Sequence, residues 1–164
     1  MKFHHVALFV SDIDKSIKLW RDVLGFDLVV QSTIPDTATN GEKARMPQQV
    51  LDDIFGVPGA TSRMALLKSA DGAMIELQQP LVPAVIGTPP ENLRYHHTGI
   101  HEVAFLVEDI ESWFTKVRDA GYQTNTEYVW TWAVTGKSFL FYDDDGNMIQ
   151  FNQQRTYGTP SWQA

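Results

Sequence analysis

The chain has no cysteine among its 164 residues. That excludes disulfides, thiolate nucleophiles, cysteine-bound zinc and iron–sulfur clusters. It has no apolar run approaching the roughly 18 residues that a membrane helix needs. The start, with Lys2 followed by alternating apolar and polar residues, does not read as a secretion signal. Cations are scarce: 13 Lys and Arg stand against 20 Asp and Glu, for a formal charge of −7. Nucleic acid needs a basic face, so it is not expected as a partner, and neither is a membrane. These absences suit a cytoplasmic protein whose partner is a small molecule. Hydrophobic residues make up 43% of the chain, enough to build a core in one domain or in two small units.

An internal repeat organises the sequence. FHHVALFVSDIDKSIKLWRD (3–22) matches IHEVAFLVEDIESWFTKVRD (100–119) at a shift of 97, with eight of twenty positions identical. DGAMIELQQP (71–80) matches DGNMIQFNQQ (145–154) at a shift of 74, with five of ten identical. Average residue usage predicts about one or two matches in twenty, so the chain reads as a duplicated unit. Each copy opens with a strand of alternating pattern, Phe3–Val10 and its equivalent from Glu102. A helix follows, with Ile13, Ile17, Trp20 and Leu24 in one stripe and Ile110, Trp113, Phe114 and Val117 in the other. Gly25 and Gly121 suit the helix ends. Strands are predicted at 26–33, 63–68 and 74–79, and again at 122–129, 138–142 and 148–153, with Asp71-Gly72 and Asp145-Gly146 as turns. The organisation expected is a first module over 1–79 with an insertion at 34–60, a proline-rich linker over 80–99, a second module over 100–155 and a tail over 156–164. A short helix over Gln48–Phe55 is expected within the insertion. With one helix per module covering one side of the sheet, the other side would be a concave cleft.

On the first and last strands, Val6, Leu8, Val10, Ile75, Leu77, Val103, Phe105, Val107, Ile149 and Phe151 form faces expected to pack under the helices. The opposite faces carry His5, Glu76, Glu102 and Gln150, in two pairs of repeat-equivalent positions. Two carboxylates crowded into one cleft repel, and a cation would neutralise them. An imidazole, two carboxylates and an amide suit one divalent metal (Co, Mn, Ni, Zn, Mg or Fe), with open positions for an enolate. Phe9, Met74 and Met148 share these faces, and Trp130 and Trp132 are expected between strands of the second module, so an apolar or aromatic ligand is expected. Lys43, Arg45, Lys137 and Arg155 are the cations available for an acyl-CoA, but they form no cluster in sequence. His96 and His97 read as part of the linker and Asp143–Asp145 as solvated turn charges. Gly56–Gly59 lacks the lysine of a phosphate loop.

The motifs HHVALFVSDIDKSIKLWRDVLGF, MIELQQP, HEVAFLVEDIESWFTKVRDAGY and DDDGNMIQFNQ make the chain resemble the vicinal oxygen chelate superfamily, which includes glyoxalase I, methylmalonyl-CoA epimerase, extradiol dioxygenases and bleomycin- or fosfomycin-resistance proteins. The resemblance implies an α+β fold of two βαβββ modules forming a curved mixed sheet around a cleft, with helices on the outer face and a metal within. It places ligands at His5 and Glu76. The second module departs from the pattern, with Glu102 where histidine is common, His101 one step earlier as an alternative ligand, and Gln150 where glutamate is common. The resemblance also implies a homodimer. The expected function is a metal-dependent isomerase, an epimerase or racemase, that moves a proton α to a carbonyl through a metal-held enolate. Glu76 and Glu102 are the candidate bases, with Glu42 a weaker one. The alternatives are a glyoxalase I-like lyase and a metal-free binding or resistance protein.

Overall fold

The computed structural model describes residues 1–36, 46–132 and 136–154. The chain forms two compact units, Met1–Gly87 and Thr88–Ala164. In unit 1, β1 (Val6–Phe9), α1 (Ile13–Lys18), β2 (Asp27–Ile34), α2 (Gln48–Phe55), β3 (Thr61–Lys68) and β4 (Met74–Val82) follow in order. Their strands form a four-stranded mixed sheet in the order β1-β4-β3-β2, with β1 parallel to β4. Unit 2 repeats the topology with β5 (Glu102–Leu106), α3 (Ile110–Asp119), β6 (Trp130–Trp132), β7 (Gly136–Tyr142) and β8 (Met148–Gln153). Its order is β5-β8-β7-β6, with β5 parallel to β8. This is the α+β architecture of two βαβββ modules that the sequence implied.

The alternation along the strands places the core. Val6 pairs with Ile75 and Leu8 with Leu77, while Ala7 pairs with Glu76 on the other face. The helix of each unit covers the apolar face. Asp12 caps α1 by accepting from the Asp14 and Lys15 N–H groups of its first turn, and Asp109 caps α3 by accepting from the Ser112 N–H. Above that first turn, the last strand reaches over: the Ile13 N–H donates to Gln79 Oε1 (3.3 Å) and the Ile110 N–H to Gln153 Oε1 (2.8 Å). These are repeat equivalents, so the same tether is built twice. A π-helical turn, Leu19–Val23, continues α1 and buries Leu19 as well as Trp20. Within the insertion, α2 ends at Gly56 with φ +69°, and Leu51 packs with Ile34 and Ala60.

Three elements differ from expectation. Residues 122–129 form bends with a single bridge, Thr124 to Phe141, and the edge strand lies instead at Trp130–Trp132. So Trp130 and Trp132 are in a strand and not between strands. In 80–99, β4 runs on to Val82 and a short 3-10 turn occupies Pro90–Leu93. Asp143 is buried and not solvated: it accepts from the backbone N–H groups of Asp145 and Asn147 and from Asn147 Nδ2. Burial pushes its carboxyl above the ordinary aspartate range against those hydrogen bonds.

Candidate functional site

In unit 1, the open face of the sheet brings His5 and Glu76 together, with His5 Nε2 3.3 Å from Glu76 Oε2. Two ligands on adjacent corners of an octahedral ion, with bonds near 2.1 Å, lie about 3 Å apart, so this spacing fits two donors to one cation. Glu76 is held in place. Gln78, next along the same face of β4, donates from Nε2 to Glu76 Oε1 (2.6 Å). Gln78 Oε1 in turn accepts from the buried Ser62 hydroxyl (2.6 Å). On the other side, His5 Nδ1 lies 2.6 Å from His4 Nδ1, so one of those nitrogens carries the proton. Phe9 is on this face, 51% exposed and edge-on to Phe55 of α2 at 6.3 Å between ring centroids. Met74 opens β4 beside Lys68.

In unit 2, the equivalent face carries a cavity of about 820 Å³. Trp130 and Trp132 of β6, Tyr128 and Tyr142 make its aromatic walls. Gln150 and Asn152 of β8 provide amides, joined by Asn152 Nδ2 donating to Gln150 Oε1 (2.8 Å). This repeats the Gln78–Glu76 arrangement at equivalent positions. The indole of Trp132 lies over Gly136, its strand partner, where an added Cβ would come within 2.7 Å of the ring. Arg94 and Tyr95 complete the wall. The Tyr95 hydroxyl donates to Glu102 Oε2 (2.8 Å), and that carboxylate, with burial second, holds the phenol above its ordinary pKa. His101 stacks on Tyr95 at 6.5 Å, and its Nε2 is buried with no hydrogen-bond partner among the described residues. Met148 is 4% exposed and lies outside the cavity wall.

Of the predicted donors, His5 and Glu76 of unit 1 meet directly, while in unit 2 Glu102 is held by Tyr95 and Gln150 by Asn152. Within each unit, no three His, Asp or Glu side chains among the described residues group as a metal cluster. The donor chemistry nevertheless fits a divalent ion, because Glu76 turns Oε2 towards His5 while Gln78 holds Oε1, and Glu102 keeps Oε1 outside its hydrogen bond to Tyr95. Of the cations considered for phosphates, Lys137 is tied to Glu111; Lys43, Arg45 and Arg155 lie outside the described residues, as does Glu42. The His96 and His97 rings sit 4.7 Å apart, in a turn and not an extended segment. Sequence reasoning missed Arg94, Tyr95, Tyr128 and Tyr142. It also missed the i, i+2 amides Gln78 and Asn152, which the period of two along β4 and β8 puts on the faces of Glu76 and Gln150.

Comparison with known proteins agrees with this frame. The family model described as Glyoxalase/Bleomycin resistance protein/Dioxygenase superfamily matches residues 2–151. The chain belongs to that superfamily. A glyoxalase family protein from Bacillus cereus superposes with a TM-score of 0.76 at 18% identity, covering 94% of both chains. The fosfomycin resistance protein FosX from Listeria monocytogenes, solved with Mn(II) and sulfate, gives 0.56 at 14% identity, covering 93% of this chain and 91% of that one. Lactoylglutathione lyase from Agrobacterium tumefaciens gives 0.56 at 16%, covering 96% and 97%. At these identities the likeness shows the fold alone. No curated protein matches the chain in sequence. Among the described residues, no helix is long and apolar enough to cross a membrane.

Proposed function

We propose that the chain is a metal-dependent isomerase, an epimerase or racemase, acting on an apolar or aromatic carbonyl compound. The observation that carries the reading is the aromatic cavity of unit 2 with Gln150, one of the four donor candidates, in its wall. His5, Glu76, Glu102 and Gln150 are the residues we assign to a divalent cation, and Phe9, Met74, Trp130 and Trp132 to the substrate; Met148, buried outside the cavity wall, is not assigned to it. The cation would supply Lewis-acid polarisation of a carbonyl oxygen. The chain's own part is proton transfer. A carboxylate takes the proton from the carbon α to the carbonyl, the electron pair moves towards the carbonyl oxygen, and a proton returns to the same carbon. Glu102 is suited to this work because Tyr95 fixes one of its oxygens. Glu76 is oriented by Gln78 in the same way. An aromatic compound is favoured over an acyl-CoA because Lys137 is committed to Glu111. We further assign the active form as a cytoplasmic homodimer.

The test is proton NMR of candidate carbonyl compounds in D₂O with metal-replete and chelated protein. Loss of the α-proton signal only with metal is expected. Exchange unaffected by chelation overturns the metal assignment. Turnover that requires a thiol makes the protein a glyoxalase I-like lyase, and a ligand recovered bound but without deuterium makes it a binding or resistance protein.

A further inference from the structure

We propose that the ligand of the unit 2 cavity is an aromatic carboxylate, and that Arg94 is the residue that selects it; this rests on the reading of that cavity as an aromatic small-molecule site. The charge in the wall is the first reason. The chain carries −7 overall, yet the cavity wall holds one cation, Arg94, and no carboxylate among the described residues. The remaining polar groups there are amides, phenols and a threonine hydroxyl, which are neutral at pH 7. The Glu102 carboxylate is taken up by the Tyr95 hydroxyl, so Arg94 is the group of the wall that can attract an anion.

Among the described residues Arg94 is also uncommitted. Arg21 is paired with Asp22, Arg63 with Asp14 and Arg118 with Glu127. Arg94 has no side-chain hydrogen bond or ion pair among the described residues, although acids outnumber bases in the chain. A guanidinium presents two parallel N–H groups that match the two oxygens of a carboxylate. Beside it, Trp130, Trp132 and Tyr128 offer flat apolar surface, which suits a planar ring.

The segment that carries Arg94 is anchored on both sides. Leu93 sits against Gly146, where an added Cβ would run into Leu93 Cδ1, and Gly146 has φ +81°. The positive φ favours glycine in that turn, and a larger residue there would displace the Leu93 side chain. On the other side, Tyr95 is fastened to Glu102, and the His97 N–H donates to the Arg94 carbonyl at 3.0 Å. The backbone that carries Arg94 is therefore held beside the cavity by its neighbours on both sides.

The test compares 2-naphthoate with 2-naphthamide, which share ring and shape and differ in charge. Binding to chelated protein is followed by quenching of tryptophan fluorescence and by calorimetry, so that the metal assignment plays no part. Naphthoate is expected to bind on the order of tenfold more tightly than the amide. Arg94→Met should erase that ratio while leaving amide binding unchanged, and Arg94→Lys should keep part of it. Gly146→Ala should weaken naphthoate binding without touching the ligand. Equal binding of the two probes, or a ratio that survives in Arg94→Met, overturns the selection by Arg94 and leaves the aromatic cavity standing. Failure of both probes to bind overturns the cavity reading itself.

Discussion

In unit 1 the helix supplies a large side chain, Trp20, and the third strand a small one, Ala65, both with 0% exposure. At the equivalent positions of unit 2 the helix supplies Val117 and the strand Phe139, again both fully buried. Size has been exchanged between layers. Trp20 meets Phe26 edge-on at 5.2 Å, whereas Phe139 meets Phe114 edge-on at 5.2 Å and Phe151 at 5.3 Å. The polar ties were not exchanged. Gln79 and Gln153 both accept from the first helical N–H. Arg63 of β3 pairs with Asp14, and Lys137 of β7 with Glu111, at equivalent places on strand and helix. The lesson is that a core asks for volume, which either layer can provide. A hydrogen bond to a particular amide asks for a particular atom at a particular point.

The open faces differ in the opposite sense. Unit 1 turns an imidazole and a carboxylate towards each other, while unit 2 has an amide among aromatic rings. One half presents a charged pair, the other a wall of aromatic rings.

The largest effect that can break the comparison is in the core. Phe139→Ala should cost about 3–5 kcal/mol in chemical denaturation, and adding Val117→Trp should restore about 1 kcal/mol or more if helix and strand trade volume. A double variant no more stable than Phe139→Ala would end that account. Next come the amides. Gln78→Leu should weaken Mn(II) binding about tenfold or more by freeing Glu76, with Asn152→Leu weaker in effect because Gln150 is neutral; calorimetric titration reads both. Gln153→Ala should lose about 1 kcal/mol of stability, and equal tolerance of Gln153→Ala and a leucine at the same place would show that the tether is idle.

Smaller still is the alkaline limit. The pKa of Tyr95 is raised in the folded state, chiefly by its hydrogen bond to Glu102. Its contribution to stability is full below the ordinary tyrosine value, near pH 10, and is lost as pH rises through the folded value. Tyr95→Phe should flatten stability there, and Glu102→Gln should bring one phenol back towards its usual titration by ultraviolet absorbance. The ion pairs come last. Arg63 holds the Asp14 carboxyl below its ordinary value, chiefly by hydrogen bonding. The pair therefore helps above about pH 4 and is lost as pH falls through the lowered value. Both pairs are exposed, so Arg63→Ala and Lys137→Ala should each shift the melting point slightly, and salt should remove the difference.

By itself the sequence determined the duplication, the α+β class and the faces of the strands, with His5 and Glu76 named as donor candidates. These follow from repeats and from the period of two along a strand, which report neighbours close in the chain. What only the tertiary structure decided were contacts between distant segments: Leu93 on Gly146, Tyr95 on Glu102, Lys137 on Glu111 and the burial of Asp143. A proline-rich segment carries no period, so nothing in its order of residues told that it would bring a guanidinium to an aromatic cavity. That outcome depends on whether a glycine in a far turn leaves room for a leucine, and sterics of this kind exist only once the chain has folded.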